Sequence, residues 1–205
     1  MISYAVVGHR SRRKAAEKLA ASVGGSLSLD LGETGSNANH DLAWGMFSES
    51  ADWHVVLEDD AVIPEGFLEA VPRALSQTPS EGAVSFYTGT GRPRPTAALR
   101  AVERASQAGA SWVRGHTVYW GVGVALPTRY IPRMLRHVHR STLPYDTRLG
   151  TYLTKSKLPC YYLVPSLVDH KDNKSLLWNN HNIPKRKAIS FGVAPSYNSE
   201  YVPFR

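Results

Sequence analysis

The first ninety residues alternate short apolar runs with segments that carry apolar residues at helical spacing. Residues 2–7, ISYAVV, are a β-rich run that ends at Gly8. Residues 12–23 follow as a predicted amphipathic helix with Ser11 as its N-cap. Residues 26–31 then alternate as a second strand. This order of strand, helix and strand is typical of an α/β layered sheet.

The third predicted strand is the most apolar segment of this half. Residues 53–57, WHVVL, form a continuous apolar run, which indicates a central strand covered on both faces. Helical spacing precedes it in residues 40–51 and follows it in residues 64–75, and residues 82–89 predict another strand. We therefore expect an α/β fold with a mixed, Rossmann-like sheet flanked by helices.

The remaining chain shows a less regular pattern. It favours helices at residues 96–109, 128–140 and 145–153, and strands within residues 112–127 and 160–165. From residue 171 onwards the chain is polar and basic, with few core positions.

Length and composition favour one domain. The 205 residues are 42% hydrophobic, which suffices for one independent core and is short for two. No run approaches the roughly 20 apolar residues of a membrane helix, and the N-terminus lacks the order of a signal peptide. We therefore expect a cytoplasmic protein without a transmembrane segment. The only cysteine, Cys160, lies in a predicted buried strand and excludes an internal disulfide.

Charge is distributed unevenly along the chain. The formal net charge is +7. Residues 30–81 contain eleven acidic side chains and one basic one, whereas residues 92–140 contain nine arginines, no lysine and one acid. A solvated basic surface is one explanation, but so many uncompensated positive charges favour an anionic partner. Arginine suits bidentate contact with phosphate.

The strongest chemical feature is the acidic triplet that closes the third strand. Glu58, Asp59 and Asp60 are consecutive carboxylates, which repel one another. A divalent cation that also holds a diphosphate would neutralise them, and the carboxyl end of such a strand is where ligands bind in open α/β sheets. An acidic turn tolerated by solvent is the alternative.

A second group of residues comes late in the chain. Asp146 begins a predicted helix, and His170 follows a strand directly in the segment VDHKDNKS. A lone histidine is usually structural, but beside a carboxylate cluster it becomes a candidate metal ligand through a neutral imidazole nitrogen.

In their order, these motifs resemble the GT-A glycosyltransferases, especially bacterial members with an EDD motif on the central strand. The resemblance covers GSNANHDLAW, LEDD, YWGVGVALPTRYIPRML, YDTRL and VDHKDNKSLL, together with the opening strand. It implies a single glycosyltransferase domain over residues 1–205. Residues 1–90 would form the nucleotide-sugar-binding half and residues 91–180 the acceptor-binding half, followed by a basic tail.

The resemblance also implies roles for particular residues. Asp60 and His170 would bind a divalent metal, Mn or Mg, and Asp146 would be the general base of an inverting transfer. The donor, with UDP-glucose as the expected nucleotide sugar, would be bound by Asp30, Asn39, Glu58 and Asp59. Lys171 and Lys174 would meet its diphosphate or lie in solvent. The chain is short for the class, and EDD departs from the commoner D-x-D motif, so the division of roles within the triplet stays open.

The arginine-rich stretch suggests a polyanionic acceptor. Phosphates of duplex DNA would be held by Arg92, Arg94, Arg100, Arg104, Arg133, Arg136 and Arg140. Aromatic stacking on an extruded base or a sugar would come from Trp112 and Trp120, with His116 and Tyr119 nearby. This combination resembles bacteriophage enzymes that glycosylate hydroxymethylpyrimidines such as hydroxymethyluracil in DNA. Two alternatives remain, namely a glycosyltransferase for a polysaccharide or lipid-linked acceptor, and a non-catalytic nucleic-acid-binding domain.

Overall fold

The computed structural model describes residues 1–91, 93–171 and 186–205. The helices are α1 (Arg13–Val23), α2 (Ser36–Gly45), α3 (Phe67–Ser76), α4 (Pro95–Gln107), α5 (Ile131–Val138) and α6 (Tyr145–Ser156). The strands are β1 (Ile2–His9), β2 (Ser26–Asp30), β3 (Trp53–Glu58), β4 (Ala61–Val62), β5 (Ala83–Ser85), β6 (Trp112–Gly115), β7 (Gly123–Pro127), β8 (Cys160–Leu163), β9 (Asp169–His170) and β10 (Tyr201–Pro203).

Eight of these strands form one mixed sheet in the order β10-β6-β8-β5-β7-β3-β1-β2. β1 is parallel to β2 and β3, and β7 runs antiparallel between β3 and β5. Helices α1 and α2 pack on the parallel end, and α4 packs on β6 and β10 at the other end. This mixed sheet flanked by helices confirms the α/β class, and its arrangement is consistent with the GT-A type.

The parallel end of the sheet follows the sequence pattern closely. Val55, Val56 and Leu57 of β3 are fully buried, as the continuous apolar run predicts. Gly8 lets α1 approach β1, because a Cβ there would lie 2.6 Å from Ala16 Cβ. The register places the carboxyl ends of β1, β2 and β3 at the same edge of the sheet.

Of the six described helices, five begin one to four residues from the predicted start, and α1 and α2 show why. α1 begins at Arg13 after a short 3-10 turn, and Ser11 bonds the His9 side chain instead of capping the helix. α2 begins at Ser36, four residues before the predicted start, and ends at Gly45. The apolar periodicity of residues 40–51 predicted a helix but not its buried face, since Ala43 and Trp44 are buried whereas Leu42 and Met46 are exposed. The first turn is polar and gave no apolar signal.

The second half contains the predicted strands in an unexpected arrangement. β6 and β7 are not neighbours, since β6 pairs with β8 and β10 while β7 pairs with β3 and β5. The C-terminal segment, predicted to contribute little to the core, supplies the edge strand β10. Three residues are too few for a period-two pattern to identify a strand.

A second, two-stranded sheet joins β4 to β9 in antiparallel pairing. Ala61 faces His170 in this register, and the Lys171 amide donates to the Asp60 carbonyl over 2.7 Å. This short pairing brings the end of the acidic triplet and the late histidine together, although they are far apart in sequence.

Two other expectations concern the core and the membrane. Cys160 is buried in β8, as predicted, and burial raises the pKa of its thiol to about 12. Over the described ranges, none of the helices combines the length and apolar character required to cross a bilayer.

Candidate active site

The carboxyl ends of β1, β2 and β3 open into a cleft of about 390 Å³, which we call the first cleft. It is lined by Val7, Gly8, His9, Arg12, Asp30, Gly32, Gly35, Ser36, Asn39, His40, Glu58, Asp59, Asp60 and Arg186. This edge of an open α/β sheet is the usual position of a ligand. The acidic triplet, Asp30 and Asn39 therefore come together, as the sequence predicts.

The last two acids of the triplet share one guanidinium. Arg12 Nη1 lies 2.9 Å from Asp59 Oδ1 and 2.6 Å from Asp60 Oδ2. The backbone amide of His9 also donates to Asp59 over 2.9 Å. Sequence reasoning missed Arg12, because nothing in the segment RSRRK distinguishes an arginine that turns inward from its solvated neighbours.

His170 lies directly beside the last acid of the triplet. Its Nε2 is 3.3 Å from Asp60 Oδ2, and both side chains are buried. The β4–β9 pairing produces this contact, because it sets His170 opposite the residue that follows Asp60. The predicted meeting of Asp60 and His170 is therefore present in the fold.

The surroundings of Asp60 fit a cation. Burial, followed by the charge of Glu58, raises the pKa of Asp60 to about 7, while Arg12 opposes the rise. Asp60 Oδ1 is buried and makes no hydrogen bond with any residue the structure describes. A buried carboxylate oxygen without a donor, next to an imidazole nitrogen, is a donor set that a divalent metal accepts.

The protein supplies only part of a coordination shell. Within residues 1–91, 93–171 and 186–205, no three side chains of histidine, cysteine, aspartate or glutamate are grouped for a metal. A cation held by Asp60 and His170 would therefore complete its shell with ligand oxygens or water, as Mg²⁺ does in many phosphate-binding sites.

A second cleft, of about 690 Å³, adjoins the first. Its lining consists of Thr34, Gly35, Ser36, Asn37, Ala38, His40, Glu58, Gly121, Thr142, Pro144, Tyr145 and Asp146. Both clefts share Gly35 and Ser36 at the start of α2, together with His40 and Glu58. Glu58, predicted to bind the donor, thus lies at the boundary between the clefts.

Asp146, the predicted base, lines this second cleft from the first turn of α6. Its Oδ1 accepts the Thr147 amide over 2.7 Å. Burial raises the pKa of Asp146, the Thr147 amide lowers it, and the charge of Glu58 raises it further, with a net rise. A carboxylate with a raised pKa is a better proton acceptor than an ordinary one, which suits a general base.

Asp30 and Asn39 both make bonds that hold the fold. The Asp30 carboxylate accepts the backbone amides of Gly32, Glu33, Thr34 and Gly35, which fixes the loop leading into α2. The Asn39 amide donates to the Gly8 carbonyl over 2.9 Å, and its oxygen accepts the Ser28 hydroxyl over 2.6 Å. Both residues line the first cleft, and their predicted contacts with the donor stay predictions.

The predicted phosphate-binding residues of the C-terminal half fall in different places. Lys171 is exposed and is attached to Asp60 through its backbone. Lys174 and Arg92 lie outside the described residues. Arg186, which the sequence did not single out, lines the first cleft beside the acids.

The predicted aromatic stacking surface requires a correction. Trp112 is 0% exposed, and its Nε1 donates to the carbonyls of Gln77 and Asn198. Trp120 is 8% exposed and packs edge-on against Tyr87 and Tyr162. Both tryptophans belong to the core, because the strand and loop that carry them turn their side chains into the sheet. They offer no face to a base.

The arginines predicted to bind DNA are mostly accessible. Those with exposed side chains are Arg94, Arg100, Arg133, Arg136 and Arg140. Arg104 is half-buried and donates to the Pro203 carbonyl over 2.8 Å, so it also anchors β10. Arg100 and Arg104 lie on α4, which packs on β6 and β10. Arg133 and Arg136 lie on α5, which packs on α2 and α6 instead.

Comparison with known proteins gives structural similarity alone. No family model and no curated protein matches the sequence. A197 from STIV is 14% identical, with 87% of this chain and 95% of A197 covered and a TM-score of 0.49. A glycosyltransferase involved in the glycosylation of the major capsid of PBCV-1 is 11% identical, with 78% and 80% covered and a TM-score of 0.44. The inositol-1-phosphate CTP transferase from T. maritima is 7% identical, with 78% and 66% covered and a TM-score of 0.38. At these values we draw nothing about activity from them.

Proposed function

We propose that this protein is a metal-dependent glycosyltransferase that moves a sugar from a nucleotide-sugar donor to an acceptor hydroxyl. The observation that carries the proposal is the 3.3 Å contact of buried His170 with Asp60, which lines a cleft at the carboxyl ends of three parallel strands. The adjoining cleft with Asp146 provides a separate place for an acceptor. One compact catalytic domain would contain both clefts.

The first cleft would take the nucleoside diphosphate. Asp60 and His170 would hold Mn²⁺ or Mg²⁺. This cation would neutralise the charge on the diphosphate when its bond to the sugar breaks. Arg12 and Arg186 line the same cleft and add positive charge that suits phosphate oxygens. Asp59, Asp30 and Asn39 would contact the nucleoside part of the donor. UDP is the first candidate for the donor's nucleotide, which makes this nucleoside uridine.

The second cleft would take the acceptor. Asp146 would accept the proton of the acceptor hydroxyl as that oxygen attacks the anomeric carbon, and attack opposite the leaving diphosphate would invert the carbon. The raised pKa of Asp146 increases its basicity for this step. Glu58, which lines both clefts, would bind the donor near its ribose.

The acceptor is proposed to be a polyanion, with hydroxymethylpyrimidine DNA as the first candidate. The exposed arginines of α4 and α5 support this choice, because phosphate contacts dominate DNA affinity. The buried positions of Trp112 and Trp120 remove the proposed stacking platform, so the support comes from charge alone.

An assay of UDP release and sugar transfer tests the proposal. Wild-type protein with Mn²⁺ and UDP-glucose should transfer glucose to hydroxymethylpyrimidine DNA, and Asp146→Asn should lower turnover by about 10²- to 10⁴-fold while UDP-glucose still binds. Glu49→Gln, at an exposed carboxylate of the loop after α2, serves as the matched control and should be unchanged.

Three results would redirect the assignment. Transfer to a lipid-linked or polysaccharide acceptor, with none to DNA, would keep the glycosyltransferase and change its acceptor. DNA binding without release of nucleoside diphosphate from any nucleotide sugar would favour a non-catalytic binding domain. Full activity of Asp146→Asn would remove Asp146 as the base.

A further inference from the structure

Asp30 is the last residue of β2 and directly precedes the loop that leads into α2. Its side chain is buried and lines the first cleft. Asp30 is not among the described residues that line the second cleft, whereas residues 34–38 all line it. One wall of the second cleft is therefore formed by a segment that begins a few residues after Asp30.

The Asp30 carboxylate holds four consecutive backbone amides of this loop. Oδ1 accepts the amides of Gly32, Glu33 and Thr34 over 2.7, 3.1 and 3.1 Å, and Oδ2 accepts the Gly35 amide over 3.0 Å. The Gly32 amide lowers the pKa of Asp30, burial raises it, and the other three amides lower it further, with a net decrease. An ionised carboxylate only accepts hydrogen bonds, so it suits four converging donors.

The path of the loop also requires its two glycines. Gly32 has a φ of +106° and Gly35 a φ of +77°, which side chains with a Cβ rarely adopt. Gly35 is the N-cap of α2, and its carbonyl accepts the first helical bond from the Asn39 amide over 3.0 Å. Gly35 is therefore bonded to Asp30 on one side and to α2 on the other, which places the start of the helix.

The rest of α2 is attached to the sheet by a different side chain. The Asn39 amide group donates to the Gly8 carbonyl of β1 over 2.9 Å and accepts the Ser28 hydroxyl of β2 over 2.6 Å. A change at Asp30 should therefore alter the loop and the first turn of α2, while the remainder of the helix stays attached.

The first turn of α2 is bonded to the segment between α5 and α6. Asn37 Nδ2 donates to the Leu143 carbonyl over 3.0 Å, and the neighbours of Leu143, which are Thr142 and Pro144, line the second cleft. The Asn37 carbonyl accepts from Arg148 of α6 over 3.0 Å. The amides held by Asp30 thus lead through Asn37 to the part of the chain that carries the predicted base.

We infer that Asp30 is a positioning residue for the acceptor: it holds residues 32–35 so that the first turn of α2 forms the wall of the second cleft. The inference rests on the proposed function for the use of that cleft by an acceptor. The four hydrogen bonds and the connection through Asn37 do not depend on that function. A contact of Asp30 with the nucleoside is compatible with this role, because Oδ2 accepts only one of the four amides.

Two variants disturb the loop in different ways. Asp30→Asn replaces one carboxylate oxygen with an amide nitrogen, which cannot accept a hydrogen bond from a backbone amide. Gly32→Ala leaves the carboxylate in place but strains the backbone, and its Cβ would lie 3.0 Å from Arg10 Cζ. Gly24→Ala is the matched control, since it has a φ of +58° at the C-cap of α1, no neighbour within 4 Å and no place in either cleft.

The transfer assay separates a positioning role from a structural one. With saturating UDP-glucose and Mn²⁺, below the Tm of every variant, Asp30→Asn and Gly32→Ala should each lower kcat/KM for hydroxymethylpyrimidine DNA by about tenfold, since small misplacements in a site cost rate. Gly24→Ala should lower Tm without this loss. The combined variant should lose less than the product of the two single losses, because both act on one loop.

Two kinetic results would overturn the inference. One is a kcat/KM for the DNA that stays within twofold of the wild type in both variants, whatever happens to Tm. The other is a loss in Asp30→Asn that Gly32→Ala does not reproduce, because this would assign the effect to a direct contact of the Asp30 carboxylate with the donor.

An NMR readout tests the connection through the loop without any substrate. The side-chain amide signals of Asn37 should shift in Asp30→Asn and Gly32→Ala and stay in place in Gly24→Ala. Hydrogen exchange of the amides of residues 32–35 should accelerate by about tenfold or more in Asp30→Asn. Unchanged Asn37 signals in both loop variants would overturn the inference even if transfer is observed. Absence of transfer in the wild type would refute the proposed function, whereas these signals still decide whether Asp30 positions the first turn of α2, so the two failures are distinguishable.

Discussion

The stability of the ligand-free protein should depend on pH most clearly through Asp60. Its pKa is raised to about 7, so the folded protein binds this proton more tightly than the unfolded chain does. The resulting stability is complete below about pH 4 and is lost as the pH rises through about 7. Asp60→Asn has a neutral side chain at every pH. In EDTA, its free energy of unfolding relative to the wild type should therefore increase as the pH rises through this range, by on the order of 2 kcal/mol or about 5 °C in Tm.

Thermal unfolding from pH 4 to pH 8 measures this difference. Glu49→Gln removes an exposed carboxylate and should track the wild type. A gap between Asp60→Asn and the wild type that does not grow with pH would show that Arg12 keeps Asp60 ionised throughout.

Gly121 provides a second test at the residue scale. Because a Cβ would meet Tyr145 and Glu58, Gly121→Ala should displace the wall of the second cleft and lower transfer by about tenfold or more. Gly45→Ala is the matched control, since a Cβ there has no neighbour within 4 Å, and it should leave turnover unchanged while stabilising α2 slightly. Equal turnover in the two variants would mean that this wall does not shape the reaction.

The acidic residues that line the first cleft could be singled out from the sequence for a physical reason. Adjacent carboxylates at a strand end repel, so Glu58, Asp59 and Asp60 stand out from the order of residues alone. Arg12 and His40 do not, because an arginine among arginines and a histidine at an apolar helical position have common structural explanations. Their positions in the clefts depend on tertiary contacts.

At the scale of elements, a buried ion pair joins α6 to α2. Arg148 is 2% exposed, and its guanidinium donates to both oxygens of Asp41 and to the carbonyls of Val138 and Asn37. Removing one partner of a buried pair leaves the other without compensation, so Arg148→Met should lower the free energy of unfolding by about 3–5 kcal/mol. Denaturant unfolding measures the loss.

An exposed arginine on a neighbouring helix supplies the control. Arg136→Met on α5 should change the free energy of unfolding by less than about 0.5 kcal/mol. A small effect of Arg148→Met would show that the α2–α6 connection is maintained by apolar packing instead.

Helices and strands were predictable to different degrees. Apolar periodicity located the helices, whereas their starts at α1 and α2 depended on local geometry that Ser11 and the polar first turn did not reveal. β9 and β10 are two and three residues long, too short for any pattern, yet β9 delivers His170 to Asp60. The decisive element of the site is therefore among the least predictable.

At the scale of the whole molecule, the positive charge of the second half predicts DNA retention. Arg100→Glu on α4 and Arg136→Glu on α5 should each weaken binding to duplex DNA and flatten its dependence on salt. Arg104 is a poorer choice for this test, because its bond to Pro203 also supports β10. Chromatography on immobilised DNA at several salt concentrations measures this retention, with Glu49→Gln as the control. If neither charge reversal changes retention, α4 and α5 do not form the DNA-binding face.

The order of the strands in the sheet cannot be predicted from local sequence patterns. Alternating strands and helices predicted an α/β fold, but no local pattern determines that β7 inserts between β3 and β5. That insertion places Gly121, just before β7, beside Glu58 and Tyr145, which completes the second cleft.

Calorimetric titration of nucleotide sugars tests most directly whether Asp60 and His170 hold a cation with the donor. UDP-glucose, dTDP-glucose, GDP-glucose and ADP-glucose would be titrated with Mn²⁺ and with EDTA into the wild type, the Asp60→Asn/His170→Ala variant and Glu49→Gln. We predict that at least one donor binds the wild type and Glu49→Gln at least about tenfold more tightly with Mn²⁺ than with EDTA, and that this gain disappears in the double variant. A gain from Mn²⁺ that is the same in the double variant, or absent for all four donors in the wild type, would contradict this metal-site assignment.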